Sequence, residues 1–202
     1  MLFRSKYPYS QTTRLTDAVT DSVTTPALDL RGVSVNYMRN AVKATVDAYD
    51  GTVQLYAWDD QDPILKTWAK AFPNTVKPKS AIPADLVQQL RYPEDLFKVQ
   101  REVLKKYHIT DAPSFFSGEN FWIIPEDPTR GGGMQPPYFL SLKMPGASAQ
   151  QFSVTSTYAP QKRPSLAGLL VVNSEPGPEY GKMQILQLPS QTTIPGPVQA
   201  QN

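Results

Sequence analysis

Proline sets the first constraint on this chain. Twenty of its 202 residues are proline, about twice the usual share. Each one fixes its own φ and withholds a backbone N–H, so the chain builds short elements closed by turns. At the first position of a helix proline is free of cost, because that N–H has no intrahelical partner. Three segments use this device. In RYPEDLFKVQREVLKKYHITD, residues 91–111, Pro93 opens a helix with Glu94 and Asp95 in the first turn and Lys105, Lys106 and His108 around the last, as the macrodipole favours. Leu96, Phe97, Val99, Val103, Leu104 and Tyr107 share one arc. The Arg, Lys and Glu residues opposite predict a solvated face carrying Glu94–Lys98 and Glu102–Lys106 pairs. Gln100 falls inside the apolar arc and needs a partner there.

The same start recurs twice. In DDQDPILKTWAKAFP, Asp62 is a good N-cap and Pro63 the first helical residue, with Ile64, Leu65, Trp68, Ala69 and Phe72 as the expected buried face. IPADLVQQL repeats it with Pro83 ahead of Leu86, Val87 and Leu90. A fourth helix is predicted in NYMRNAVKATVDAYDG, where Met38, Val42, Thr45, Val46 and Tyr49 share a face and Asp50-Gly51 is the stop. TVQLYAW alternates and reads as a strand.

After residue 110 the period changes from helical to alternating. PSFFSGENFWIIPEDP reads as two aromatic arms around a Ser-Gly-Glu-Asn turn. YFLSLKM, QFSVTSTY, LAGLLVVN and KMQILQL read as strands, the third apolar enough to be central. The expected fold is α+β, a helical N-terminal half of about four helices packed with a mainly antiparallel C-terminal sheet. Residues 1–34 are expected to be irregular, 35–188 to form one domain (helix-rich over 35–110, strand-rich over 111–188), and 189–202 to be a Pro-rich polar tail or linker.

The chemistry in the sequence is sparse. Net charge is +2, from 20 Lys and Arg against 18 Asp and Glu, so no long-range field steers the chain to nucleic acid. There is no cysteine and one histidine, which excludes disulfides, thiolate zinc sites and imidazole-rich metal sites. His108 belongs to a helix end, where the dipole favours it without catalytic duty. Asp59, Asp60 and Asp62 offer carboxylates without calcium-loop spacing. Glu126 and Asp127 could join them as an acid/base pair on a glycan, with Trp58 or Trp122 as a platform. The alternative for the same residues is an exposed acidic loop beside buried aromatics. Gly131 to Gly133 lacks the residues of a phosphate loop, and Ser117 lacks a nucleophile-elbow frame. No catalytic residue, metal-ligand set or cofactor is assigned, and the ligand-binding residues are left unknown.

YMRNAVKATVDAYDGTVQLYAWDDQDPILKTWAKAFPNTVKPKS, LRYPEDLFKVQREVLKKYHITDAPSFFS and QPPYFLSLKMPG resemble the extracytoplasmic region of an uncharacterised actinobacterial family of multi-pass membrane proteins. The resemblance runs from about YPYSQ to TIPGPVQAQN, while MLFRS matches nothing in it. It supplies no functional residues, and it implies an extracytoplasmic location at the cell membrane beside hydrophobic helices that this chain lacks. The segment as given is expected to be soluble, with no transmembrane span or signal peptide. The function that follows is a non-catalytic module binding a partner protein or cell-envelope ligand for a membrane-embedded parent, a reading that leans away from an enzyme. A carboxylate-based hydrolase or transferase acting on envelope polymers is the alternative. Self-association through a bare sheet edge is also expected.

Overall fold

The computed structural model describes residues 2–4, 12–24, 32–189, 191 and 193–201. Positions 1, 5–11 and 25–31 of the segment expected to be irregular, and 190, 192 and 202 of the expected tail, lie outside the described residues. In chain order the elements are β1 (Leu2–Arg4), β2 (Thr13–Arg14), α1 (Leu15–Val19), β3 (Ser34–Val35), β4 (Tyr37–Arg39), β5 (Val42–Val46), β6 (Val53–Ala57), α2 (Pro63–Ala71), β7 (Val76–Lys77) and α3 (Ala84–Gln89). They continue with α4 (Glu94–Tyr107), α5 (Ala112–Ser117), β8 (Trp122–Ile123), β9 (Tyr138–Leu142), β10 (Gln151–Pro160), β11 (Gly168–Asn173), β12 (Met183–Gln187) and α6 (Pro197–Gln201). They fall into two compact units, Met1–Arg14 with Gly32–Leu90, and Leu15–Arg31 with Arg91–Asn202.

The first unit overturns the expected fold class, because the N-terminal half is built mostly from strands. NYMRNAVKATVDAYDG is no helix. Its residues form β4 and β5, and β5 pairs antiparallel with β6 from Val42↔Ala57 to Val46↔Val53. Val42, Ala44 and Val46 alternate with Lys43 and Thr45, so this stretch carries a period of two as well as a helical one. Its β-branched residues lose more rotamer freedom in a helix than in a strand. The adjacent strand then settles the matter by supplying a ladder. Asp50-Gly51, expected as a helix stop, lies in the hairpin turn, which Asp47 N–H closes on Thr52 O at 2.9 Å. β6 adds β7 in parallel, while β1–β4 and β2–β3 form separate two-stranded ladders.

α2 begins as its sequence dictates, with Pro63 first and the Asp62 carboxylate accepting Leu65 N–H at 2.7 Å. Its expected buried face is mostly open. Leu65 is buried, but Trp68 and Phe72 are exposed and stack on each other at 5.3 Å. α3 buries no residue fully.

In the second unit β12, β11, β10 and β8 lie in that order, all antiparallel, with β9 pairing the other half of β10's outer edge. The four C-terminal segments read as strands are strands. The aromatic hairpin is not formed: PSFFS lies in α5, capped by Asp111, whose carboxylate accepts Ser114 N–H at 2.9 Å, and stopped by Gly118 at φ 66°. An N-cap aspartate with proline in the first turn and a left-handed glycine at the end outweighs aromatic β-propensity over six residues. α1 and α4 pack together, and α4 also packs on β10 and β8. Phe97, Val154, Tyr158, Leu170 and Val172 form the core of this unit.

Candidate functional site

α4 buries a different face from the one its apolar residues predict. Phe97, Lys98 and Arg101 have no exposed surface, whereas Val103 and Tyr107 are 41% and 62% exposed. The stripe of buried Phe97 and Arg101 with half-buried Leu104 and His108 is turned by about 100° from the predicted arc, one residue's rotation. The solvated charged face expected for Lys98 and Arg101 is therefore corrected. Lys98 Nζ lies 2.7 Å from Asp21 Oδ2 and 2.8 Å from Glu94 Oε1, and it contacts Thr24 Oγ1 at 3.1 Å. Burial raises the Asp21 carboxyl, but Lys98 and the N–H groups of Val23 and Thr24 outweigh it and hold the group below its ordinary value. Arg101 Nη1 donates to Gln135 O at 2.9 Å, and burial lowers the pKa of its guanidinium. Glu94–Lys98 forms as predicted, while Glu102 pairs with Lys105 instead of Lys106. Gln100 finds its partner in Tyr92, whose hydroxyl donates to Gln Oε1 at 2.9 Å.

At the C-terminal end of α4 a cleft of about 780 Å³ opens. His108 caps the helix, and its ring stacks on Trp122 with centroids 3.5 Å apart and planes 9° from parallel. Its Nδ1 lies 2.9 Å from Leu104 O, which makes Nδ1 the donor and leaves Nε2 as the ring's remaining polar atom. Trp122 is buried, with Tyr158 at 5.0 Å. The lining includes Asp111, Glu119 and Asn120 from the α5 region, Lys162 and Arg163 from the turn after β10, and Gln187 from β12. Two N–H and O–H donors of Ser114 keep the Asp111 carboxyl below its ordinary value, so it stays ionised. A wide, polar, mixed-charge cleft suits recognition of a polar ligand by many weak contacts.

The other candidate residues are divided between the two units. Asp59, Asp60 and Asp62 belong to the first unit, Glu126 and Asp127 to the second. Asp62 caps α2 and accepts the Tyr37 hydroxyl, Asp59 pairs with Arg39, and Asp60 accepts Gln61 Nε2 at 3.0 Å. Glu126 is exposed and bridges Met134. Asp127 is buried and accepts the Ser22 hydroxyl, Thr129 Oγ1 at 2.7 Å and Thr129 N–H at 2.9 Å, which together pull its carboxyl down to about 2. Such a group cannot serve as a general acid near neutrality. Among the described residues no three His, Asp or Glu side chains converge as metal ligands. Trp58 sits under Lys79 Nζ at 4.0 Å and Lys43 Nζ at 5.4 Å. Trp122 is covered by His108, so neither indole is an open sugar platform. Gly133, at φ 95°, brings its Cα where an added Cβ would lie 3.2 Å from Ser22 Cα, so it packs the loop instead of cradling a phosphate. Ser117 Oγ donates to Ser114 O at 3.1 Å, inside α5.

Sequence reasoning missed Lys98, Arg101 and Asp21 as interior groups, and Lys162 and Arg163 as cleft residues. The i, i+4, i+7, i+11 spacing of Phe97, Arg101, Leu104 and His108 was the available signal for α4. Lys162 and Arg163 carry no local signal, since a turn after a strand is charged in most proteins.

The second unit carries a polar, mixed-charge cleft on a mixed helix and sheet scaffold. Residues 3–202 match the model of the family described as Uncharacterised protein family (UPF0182), and the chain belongs to that family. A UPF0182 protein of Streptomyces coelicolor is 52% identical over 97% of this chain and 20% of its own length. Those of Leifsonia xyli subsp. xyli and Thermobifida fusca are each 50% identical over 98% of this chain, covering 22% and 20% of their own lengths. The chain thus spans about a fifth of the length of these curated relatives. No solved structure matches it. No helix of the described residues is long and apolar enough to cross a membrane.

Proposed function

We propose that this chain is a non-catalytic module, on the extracytoplasmic side of a larger membrane protein, that binds a partner protein or cell-envelope ligand in the cleft beside His108 and Trp122. The observation that carries this reading is the fate of the carboxylates. Asp59, Asp62 and Asp127 are held in ion pairs, helix caps and turns, while the cleft presents polar side chains of both signs beside the stacked His108–Trp122 pair. The membrane parent rests on the family resemblance and on relatives about five times longer than the chain. The test is a photo-crosslinking amino acid placed at Lys162 or Ser165 in the full-length protein in its own membrane. One discrete adduct at these positions, lost on Arg163→Glu, supports the reading. Adducts that ignore Arg163→Glu, or turnover of an envelope polymer by the purified protein, sink it.

A further inference from the structure

Arg101 is buried with its hydrogen bonding half complete. It has no exposed surface, its Nη1 donates to Gln135 O at 2.9 Å, and the same atom lies 3.5 Å from Ser156 Oγ. Among the described residues Nε and Nη2 meet no acceptor. These two nitrogens share one side of the planar guanidinium and present two near-parallel N–H groups, the fork that binds two oxygens of one group at once. Each nearby carboxylate holds a lysine: Asp21 and Glu94 pair with Lys98, and Glu102 pairs with Lys105 through Oε1 at 2.6 Å, its buried Oε2 meeting no donor. Among the described residues Lys98 and Arg101 therefore share one interior carboxylate, Asp21, with Glu94 at 42% side-chain exposure and Glu102 matched to Lys105, which leaves about one positive charge over. Burying an unmatched guanidinium and two idle donors is heavily penalised unless an acceptor arrives.

We infer that the Nε/Nη2 fork of Arg101 is a binding site for a carboxylate. A monoanion with two oxygens on one carbon matches both the residual charge and the fork, where a single-atom anion would satisfy the charge alone. The loop that contains Gly131 to Gly133 ends at Gln135, which supplies the carbonyl on Nη1. The carboxylate has two sources, a small free acid or an acidic side chain from another part of a full-length family protein. The site is separate from the cleft and stands or falls independently of it.

The test measures the melting temperature of this chain in sodium acetate against sodium chloride at matched ionic strength. Binding to the native state alone raises the melting temperature with the logarithm of acetate concentration. Arg101→Lys, which keeps the charge and loses the fork, and Arg101→Met should show no acetate-specific rise. If those variants do not fold, the Nε–H resonance of Arg101 in the unaltered chain gives the second readout and should shift on adding acetate but not chloride. The same melt on the full-length Streptomyces coelicolor relative separates the sources. An equal rise there identifies a free acid, and no rise, beside a rise in this chain, identifies a side chain already in place. Melting curves and Nε–H resonances of this chain that are identical in acetate and chloride overturn the inference.

Discussion

An ammonium group with no exposed surface, such as that of Lys98, is tolerable only with carboxylates in contact, and Asp21 and Glu94 supply them. Removing the cation leaves Asp21 charged and enclosed. Lys98→Met is expected to destabilise the fold by about 3 to 5 kcal/mol, read from urea denaturation midpoints. Adding Asp21→Asn to it should recover part of that loss, because the two residues act as one unit. Asp127 works through hydrogen bonds in place of an ion pair. It joins two segments 105 residues apart through the Ser22 hydroxyl, the first cause of its low pKa. Ser22→Ala should therefore raise the Asp127 pKa from about 2 towards the ordinary 3.8, measured by carboxyl carbon NMR titration; an unchanged titration would show that Thr129 alone holds the charge.

At the scale of elements, short stops and starts decide more than apolar content does. Gly118 ends α5 at φ 66°, and an added Cβ would also meet Phe121 Cε2 at 3.4 Å. Gly118→Ala should cost about 1 kcal/mol or more, again by denaturation. β12 is the outer strand beside β11, with no charged residue between Met183 and Gln187 and with Ile185 and Leu186 each over a third exposed. Natural edges are usually guarded by charge, proline or a bulge. We expect chains to pair through β12 at tens of micromolar, about the range where weak edge contacts appear, and Leu186→Lys to abolish the pairing in sedimentation velocity. A monomer at all concentrations, with and without the substitution, would refute this.

For the whole molecule, stability has opposed acid and alkaline limbs. Asp127 and Asp21 are depressed in the folded state, so the stability they confer is full above the unfolded value of 3.8 and is lost as pH falls towards about 2. Lys43 gives a slope of the same sign at higher pH. Burial pushes its amine down to about 8, so between about 8 and 10.5 the unfolded chain holds a proton that the folded chain has released, and stability rises with pH. Above 10.0, the raised hydroxyl pKa values of Tyr92 and Tyr158 keep protons on the folded chain and reverse that trend. Lys43→Met should flatten the rise, as followed by urea midpoints across that pH range. By itself the sequence determined what neighbours within a few residues control: the Asp62–Pro63 and Pro93 helix starts, and the four alternating C-terminal strands. Capping acts within one turn, so those helix starts do not depend on distant partners. The tertiary structure alone decided that residues 42–46 join a ladder, because their pattern suits both periods and only the pairing with β6 breaks the tie. It also decided which side of α4 is buried. Apolar count points one way, but Asp21, 77 residues away from Lys98, and the carbonyl of Gln135, 34 residues from Arg101, turn the cationic side inward. No local rule carries the position of a carboxylate so far along the chain, and the interior of this protein depends on it.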